Sequence, residues 1–525
     1  MAAFADVVLR GLALSGQAIA IGGVLFVLLI LRPVRPASAA QPSAPLSRRV
    51  WLLVALAAAG LVLAQSLSLG VLVAALGAPS TWTVRDLAPT AFVEASLVKI
   101  LASLALVGAA LTVRRRPRVG MWWAILLGSA GALVVSAAFM SHGVARLDHR
   151  AALMTLDALH QLAAAAWIGG LVHLMVVAFT THEERLLGGL LQRFSTLACA
   201  AVAVLIAAGV GLSLAYVDGV QALLGTAYGV MVLTKAVILG GLLLLGAANF
   251  LAIRRRPHAL ASSQQRLRRF VEVELGLGIT VLFAAASLTS LPPAIDVVTD
   301  RATLAEVATR FTPQWPRLTS PSIAELPVND PNAPRTDADR AWSEYNHHVS
   351  GLFVLVMGVL ATLHVTRRAP WARHWPLVLL GLAGFMLVRN DPGAWPLGPQ
   401  GFWASMAEPT VLQHRVFVLL VVVFGIFEWR VRTGRITSPR SALVFPLLCA
   451  VGGGLLLTHS HASLNLKSEF LLEVTHAPLG VLGISIGWAR WLELRLAAPD
   501  DRMPGRIWAS ALAVFGALLL LYRES

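Results

Sequence analysis

Apolar runs of roughly 17 to 25 residues, the length that carries a helix across the hydrocarbon of a bilayer, recur about fourteen times along this chain. They fall near 9–31, 51–78, 90–113, 120–140, 151–179, 194–217, 228–252 and 270–291. A second series follows near 348–366, 375–389, 411–429, 441–459, 470–489 and 506–522, with 375–389 the least apolar. Of the 525 residues, 57% are hydrophobic and 13% charged, with mean hydropathy +0.73, whereas soluble domains are about a quarter charged. A soluble core has no use for that much apolar surface. The pattern predicts an all-α fold, a polytopic integral membrane bundle of about 14 transmembrane helices. Disorder and a disulfide scaffold are excluded as well. Cys199 and Cys449 are the only cysteines, and both lie inside apolar runs, so no thiolate metal site or CxxC pair is available.

The 42 Lys and Arg against 27 Asp and Glu give +15, which in a soluble protein would suggest nucleic acid. Here the basic residues sit in short runs between spans, so no nucleic-acid partner is expected and the charges orient the helices instead. Arg32, Arg35, Arg48 and Arg49 share one loop; Arg114, Arg115, Arg116 and Arg118 share the next on the same side. Arg254, Arg255, Arg256, Arg266, Arg268 and Arg269 continue the series, as do Arg367, Arg368, Arg430, Arg432, Arg490 and Arg495. The intervening short loops hold only Arg85, Arg146, Arg150, Arg389 and Lys467. Basic loops inside then put both termini outside. Ala37-Ser38-Ala39 has the form of a signal cleavage site, but Arg32 and Arg35 follow the apolar run, which favours a retained first helix.

One segment breaks the rhythm. Residues 292–347 are polar and rich in Pro and Asp, too long for a simple connection. The alternation makes it an external loop between an eight-helix domain (1–291) and a six-helix domain (348–525), with a short helix expected over 302–310. The chain has no nucleotide fingerprint, P-loop or Ser-His-Asp pattern, and its halves show no repeat of the inverted transporter kind.

The 14 histidines are where chemistry is expected. A lone histidine at a membrane boundary is ordinarily interfacial, and clustering is what makes a site. Met140, His142 and His149 surround the turn before the fifth span, followed by Met154, Asp157 and His160 at spacings of three. Those three share one helix face, with His160 about 13 Å below the helix start. Imidazole with thioether is a ligand set suited to copper, the thioether favouring Cu(I). Trp167 continues that face, Gly169 and Gly170 permit close packing, and His173 lies about 220° around the helix from His160. A metal-free polar packing network is the competing reading.

A second group comprises His459 and His461 at one helix exit and Glu469, Glu473 and His476 on the next helix. His347 and His348 open the ninth span on the same side. His414 opens the eleventh after Glu408 and Pro409, with Met406 nearby. These are read as external metal ligands, with Asp157 and Glu473 orienting the imidazoles of the two groups; a hydrogen-bonded rim is the alternative. HExxH is absent and no acid/base pair stands out, so binding or passage is expected, not catalysis. Deeper ionisable residues are Glu94, Lys99, Lys235, Glu272 and Glu274, which pair, snorkel or relay ions. Met231 and Met357 are read as packing.

The run His160-Gln-Leu-Ala-Ala-Ala-Ala-Trp167-Ile-Gly169-Gly170-Leu resembles the helix signature of the bacterial copper resistance D (CopD) family. With Arg193-Phe194-Ser195, the loop Leu223 to Gly229, Lys235 and Asn249, the resemblance covers about 160–256. Asn346-His347-His348, Arg389 to Gly393 and His459 to Pro478 resemble the carboxy-terminal extension of longer members, over 341–497. The resemblance implies a protein of the bacterial inner membrane that moves copper from periplasm toward cytoplasm; the charge alternation makes it multi-pass with periplasmic termini, and the missing catalytic motifs make it no enzyme. The resemblance also implies the copper ion, the lipid bilayer and a periplasmic copper-binding protein as partners, and carries over no ligand list. The chain lacks a Met-rich or His-rich copper-binding tail. Two other readings remain: a membrane electron-transfer protein holding haem between histidines such as His160 or His414 and His476, and a copper sensor or assembly factor.

Overall fold

The computed structural model describes residues 2–33, 43–77, 89–116, 120–180, 184–255, 260–326, 336–458 and 467–524. The described residues are helices and their connections, and fourteen helices are long and apolar enough to cross a membrane. The least hydropathic of these is Pro370–Arg389, whose first turns are a 3₁₀ segment, Pro370–Leu377. The chain packs as two compact units, one of Met1–Arg301 with Thr458–Leu466 and one of Ala302–Leu457 with Lys467–Ser525.

The first unit is built around α1 (Ala2–Phe26), which widens into a π turn at Val27–Leu31. Ala20, Ile21, Val24 and Phe26 are fully or almost fully buried, so this helix is the unit's axis. Around it stand α2 (Ser43–Gly77), α3 (Ala91–Arg115), α4 (Gly120–Ala138) and α5 (Arg150–Ala164). A second π turn, Ala165–Gly169, joins α5 to α6 (Gly170–Thr180). Then come α7 (Glu184–Tyr216), the short α8 (Val220–Gly225), α9 (Ala227–Arg255) and α10 (Leu260–Thr289).

Small residues decide how closely α1 meets the second π turn. A Cβ on Gly169 would lie 1.9 Å from the Ala18 carbonyl oxygen, and one on Gly22 would lie 2.4 Å from that of Ala165. Hydrocarbon provides no hydrophobic drive between helices, so backbones gain by approaching until dispersion contacts are dense. The close packing expected of Gly169 is found against α1.

The second unit begins with α11 (Leu304–Arg310), the short helix expected over 302–310, started by a capping box between Thr303 and Glu306. Lys467 Nζ lies 2.6 Å from Glu306. That exposed carboxyl is pulled down to about 2, first by the Lys467 hydrogen bond and then by those from Thr303. A second capping box, Thr336 with Asp339, starts α12 (Asp337–Val365) well before residue 348. His347 and His348 therefore lie within this helix and do not open it, because the polar turns ahead of the apolar run are already helical.

There follow α13 (Val378–Arg389), the short α14 (Phe402–Ala407), α15 (Pro409–Arg432) and α16 (Val444–Thr458). The unit ends with α17 (Lys467–Glu473), α18 (His476–Arg495) and α19 (Arg502–Leu520). Its core gathers Trp375, Phe445 and Trp508 about the Arg432 guanidinium, whose carbon is 4.8, 5.6 and 5.0 Å from the three ring centroids. Arg432 Nε donates to Glu428 at 2.6 Å, so the buried cation has both a carboxylate and π faces.

Adding the one methyl group of Gly169→Ala forces α1 away from the π turn and should destabilise the protein by about 1–3 kcal/mol or more. Gly128→Ala, where a Cβ meets nothing within 4 Å, should be neutral or slightly stabilising. Thermal melts of the two variants in detergent check this.

Candidate functional site

The first histidine cluster becomes a connected polar structure inside the first unit. His142 sits in a 3₁₀ turn, His142–Ala145, between the fourth and fifth spans. Its ring stands edge-on to Tyr216 and Tyr228, with centroids 6.2 and 6.1 Å away, and the two tyrosines are 6.3 Å apart in the same manner. The imidazole is hydrogen-bonded to the Leu288 backbone, while Nε2 is buried with no partner. Burial pushes its proton affinity below the ordinary imidazole value, so the ring is neutral and Nε2 keeps its lone pair. Arg146 closes this mouth with a two-pronged contact to Asp296 at 2.9 and 2.7 Å, and Arg301 binds Asp218 nearby in the chain path.

One turn into α5, the Met154 backbone nitrogen would lie 3.4 Å from a Cβ on Gly143, so the histidine turn rests on the start of that helix. Further along, Asp157 accepts from Gln161 Nε2 at 2.5 Å, and Gln161 accepts from Gln17 of α1 at 2.9 Å. Asp157 lies in the field of the Lys235 and Lys99 ammonium groups, and neither forms an ion pair with it among the described residues. Lys99 also lies in the field of Arg10, and Glu94 is exposed.

His160 Nδ1 is 3.1 Å from the Leu205 carbonyl of α7. A carbonyl only accepts, so Nδ1 carries the proton and Nε2 presents the lone pair. His173 has the opposite tautomer: its fully buried ring donates from Nε2 to Ile19 O at 2.9 Å and stacks on Phe26. It belongs to the contact between α1 and α6.

Tyr216 and Tyr228 were not singled out as site residues from the sequence. The available signal was their rarity, since the chain has four tyrosines, and of these Tyr228 lies within the Leu223 to Gly229 loop and Tyr216 shortly before it.

The candidates of the second unit are dispersed. His348 is fully buried with both nitrogens engaged: Nδ1 accepts from Arg317 N at 2.7 Å and Nε2 donates to Tyr522 O at 2.6 Å. His347 donates from Nδ1 to Ser343 O at 2.9 Å and lies on the Tyr522 ring, centroid to centroid 4.3 Å. His414 is different. Its Nδ1 is 2.6 Å from Asp391 Oδ1, a carboxylate that also faces Arg415 at 3.2 Å. Pairing with a carboxylate orients an imidazole and raises its basicity, as metal ligands require. His476 opens α18, and a two-residue turn at 474–475 separates it from Glu473 and Glu469 on α17. His459 and His461 lie outside the described residues. Among the described residues no three His, Cys, Asp or Glu side chains are grouped as a metal site.

Residues 188–288 match the family model described as Copper resistance protein D. The match begins after the His160 to Gly170 run and takes in most of α7, all of α8 and α9 and nearly all of α10, the helices whose residues Leu205, Tyr216, Tyr228 and Lys235 face the α5 site. Over 203 residues the chain is 30% identical to the Copper transport protein CutJ of Bacillus subtilis (strain 168). That stretch is 38% of this chain and 36% of the relative, so the likeness spans about a third of each. No solved structure matches.

His142 is neutral in the fold and more readily protonated when the chain unfolds, so folding loses stability as pH falls below about 6.5. The midpoint of thermal unfolding should drop between pH 7.5 and 5, and His142→Phe should show a shallower drop.

Proposed function

We propose that the chain is a copper transporter of the bacterial inner membrane, taking the ion at the periplasmic face and passing it inward through the first unit. The observation that carries this reading is the pair His142 and His160. Backbone hydrogen bonds hold both imidazoles as the tautomer that offers Nε2, and Met154 and Asp157 lie between them in sequence. Imidazole and thioether are ligands for copper, and the relative's printed name agrees with that cargo.

On this reading His142 receives the ion beside the two tyrosines, Met154 supplies a soft ligand, and His160 takes it deeper. Asp157 orients the site through Gln161 and supplies countercharge. His414, oriented by Asp391, and His347 and His476 gather copper at the periplasmic face of the second unit, where a soluble copper-binding protein delivers it. His348 is left out, because both its nitrogens are engaged. No catalytic residue is assigned.

The test is copper accumulation in cells at matched protein levels. His142→Ala and His160→Ala should each lose most uptake above background, while His173→Ala, if it folds, should retain it. Full uptake in His160→Ala, or equal loss in all three, removes the path. An optical spectrum of purified protein separates the haem reading, since a Soret band with two histidine-dependent axial ligands would replace the copper assignment.

The direction of transport requires the 292–347 segment to be periplasmic. A reporter active only outside the cytoplasm, inserted near Pro313, should therefore be active.

A further inference from the structure

A cavity of about 300 Å³ lies in the first unit among α6, α7, α9 and α10, and the proposed copper path does not use it. Its walls are mostly apolar, with Leu174, Leu191, Phe194, Leu243 and Val271 prominent. The polar side chains Asn249 and Glu274 on its wall are hydrogen-bonded to each other. Water does not fill such a space, because each buried water needs two to four polar partners and apolar cavities of about half this volume stay dry. The medium around these helices is lipid. The α7 and α9 helices turn Val204, Val210, Leu233, Val237 and Leu244 outward, exposed, over the same spans.

The apolar surface does not stop at the cavity. A smaller hollow of about 20 Å³ shares Leu174, Leu191, Leu267 and Val271 with it and ends at Phe179 and Arg268. Arg268 donates from Nη2 to the Ala178 carbonyl at 3.0 Å and lies over the Phe179 ring at 5.7 Å. Its Nε is buried with no partner, and no carboxylate pairs with it among the described residues. The adjacent Arg269, by contrast, is paired with Glu272. A guanidinium that no carboxylate pairs with among the described residues thus lies beside two apolar hollows that share four wall residues, at the basic end of α10.

We propose that these hollows hold one acyl chain of an anionic phospholipid, with the lipid phosphate against Arg268. The chain fills the space that water cannot, and the phosphate supplies the countercharge that no carboxylate provides among the described residues. The mutual bond of Asn249 and Glu274 lets a methylene chain pass without stripping either group of its partner. A bidentate-capable guanidinium selects phosphate over a neutral or zwitterionic headgroup.

The full-length protein, purified in mild detergent, is measured by native mass spectrometry as prepared and after exchange into nanodiscs of phosphatidylglycerol, phosphatidylcholine or their mixture. The wild type should keep one phosphatidylglycerol per chain from the mixture. Ala198→Phe and Gly246→Leu, which fill the cavity from opposite walls, should lose it. A Cβ at Gly246 meets nothing within 4 Å, so that variant keeps the test valid should the other fail to fold. Arg268→Gln should keep a lipid but lose its preference for phosphatidylglycerol over phosphatidylcholine, by about five-fold. A wild type without lipid, equal retention of both headgroups, unchanged retention in the filled variants, or an isoprenoid quinone in place of phospholipid would each overturn the proposal. None of these outcomes depends on copper accumulation.

Discussion

The contact between α1 and the π turn at Ala165–Gly169 fixes the first unit. Where Gly169 meets Ala18 O and Gly22 meets Ala165 O, two backbones touch with no side chain between them. In hydrocarbon every backbone group must be satisfied within its own segment, so a wide turn in the middle of a span persists only where a neighbour packs over it. The α1 helix is that neighbour. The consequence runs both ways along the α5 to α6 segment. On one side α5 is held so that Gln161 reaches Gln17 of α1 and carries Asp157 with it; on the other, His173 is pinned to Ile19 O.

Buried charge is handled differently in the two units. Arg432 in the second is ion-paired with a carboxylate at 2.6 Å and lies among three aromatic faces, an arrangement held in the unit's core. In the first unit, Asp157 has amide partners while Lys99 and Lys235 stand near it without closing into ion pairs. Ionisable groups left unclosed inside a span are costly, and on the proposed function they belong to the ion's path.

The spans were legible because hydropathy and length decide them, and the short helix at Leu304–Arg310 was legible because Thr303 and Glu306 spell a capping box. The face shared by Met154, Asp157 and His160 followed from helical spacing alone. Three things were not legible. The π turns have no signature beyond small residues, so the 3.6-residue register carried from His160 to Trp167 did not foresee that Trp167 would line the apolar cavity. The groups around the Asp157–Gln161 pair, Gln17, Lys99 and Lys235, come from α1, α3 and α9, far apart in sequence. The state of each imidazole depends on which carbonyl faces it, and this is why His348 and His160, alike as letters, differ in having no free lone pair and one.

The same buried lysines bear on which ion the proposed path would pass. Sodium, magnesium and calcium are held by charge and oxygen ligands, and a site with Lys99 and Lys235 beside a single carboxylate repels them. Copper bound by imidazole nitrogen and thioether sulfur gains mainly from ligand donation, which a nearby positive charge weakens far less. A net positive interior would therefore act as a filter, costing hard cations their entire means of binding while leaving a soft ion its ligands. His142 and His160 would then need their Nε2 lone pairs fixed in advance, because attraction by charge could not compensate for an imidazole in the wrong tautomer. The backbone bonds to Leu288 and Leu205 provide that fixing.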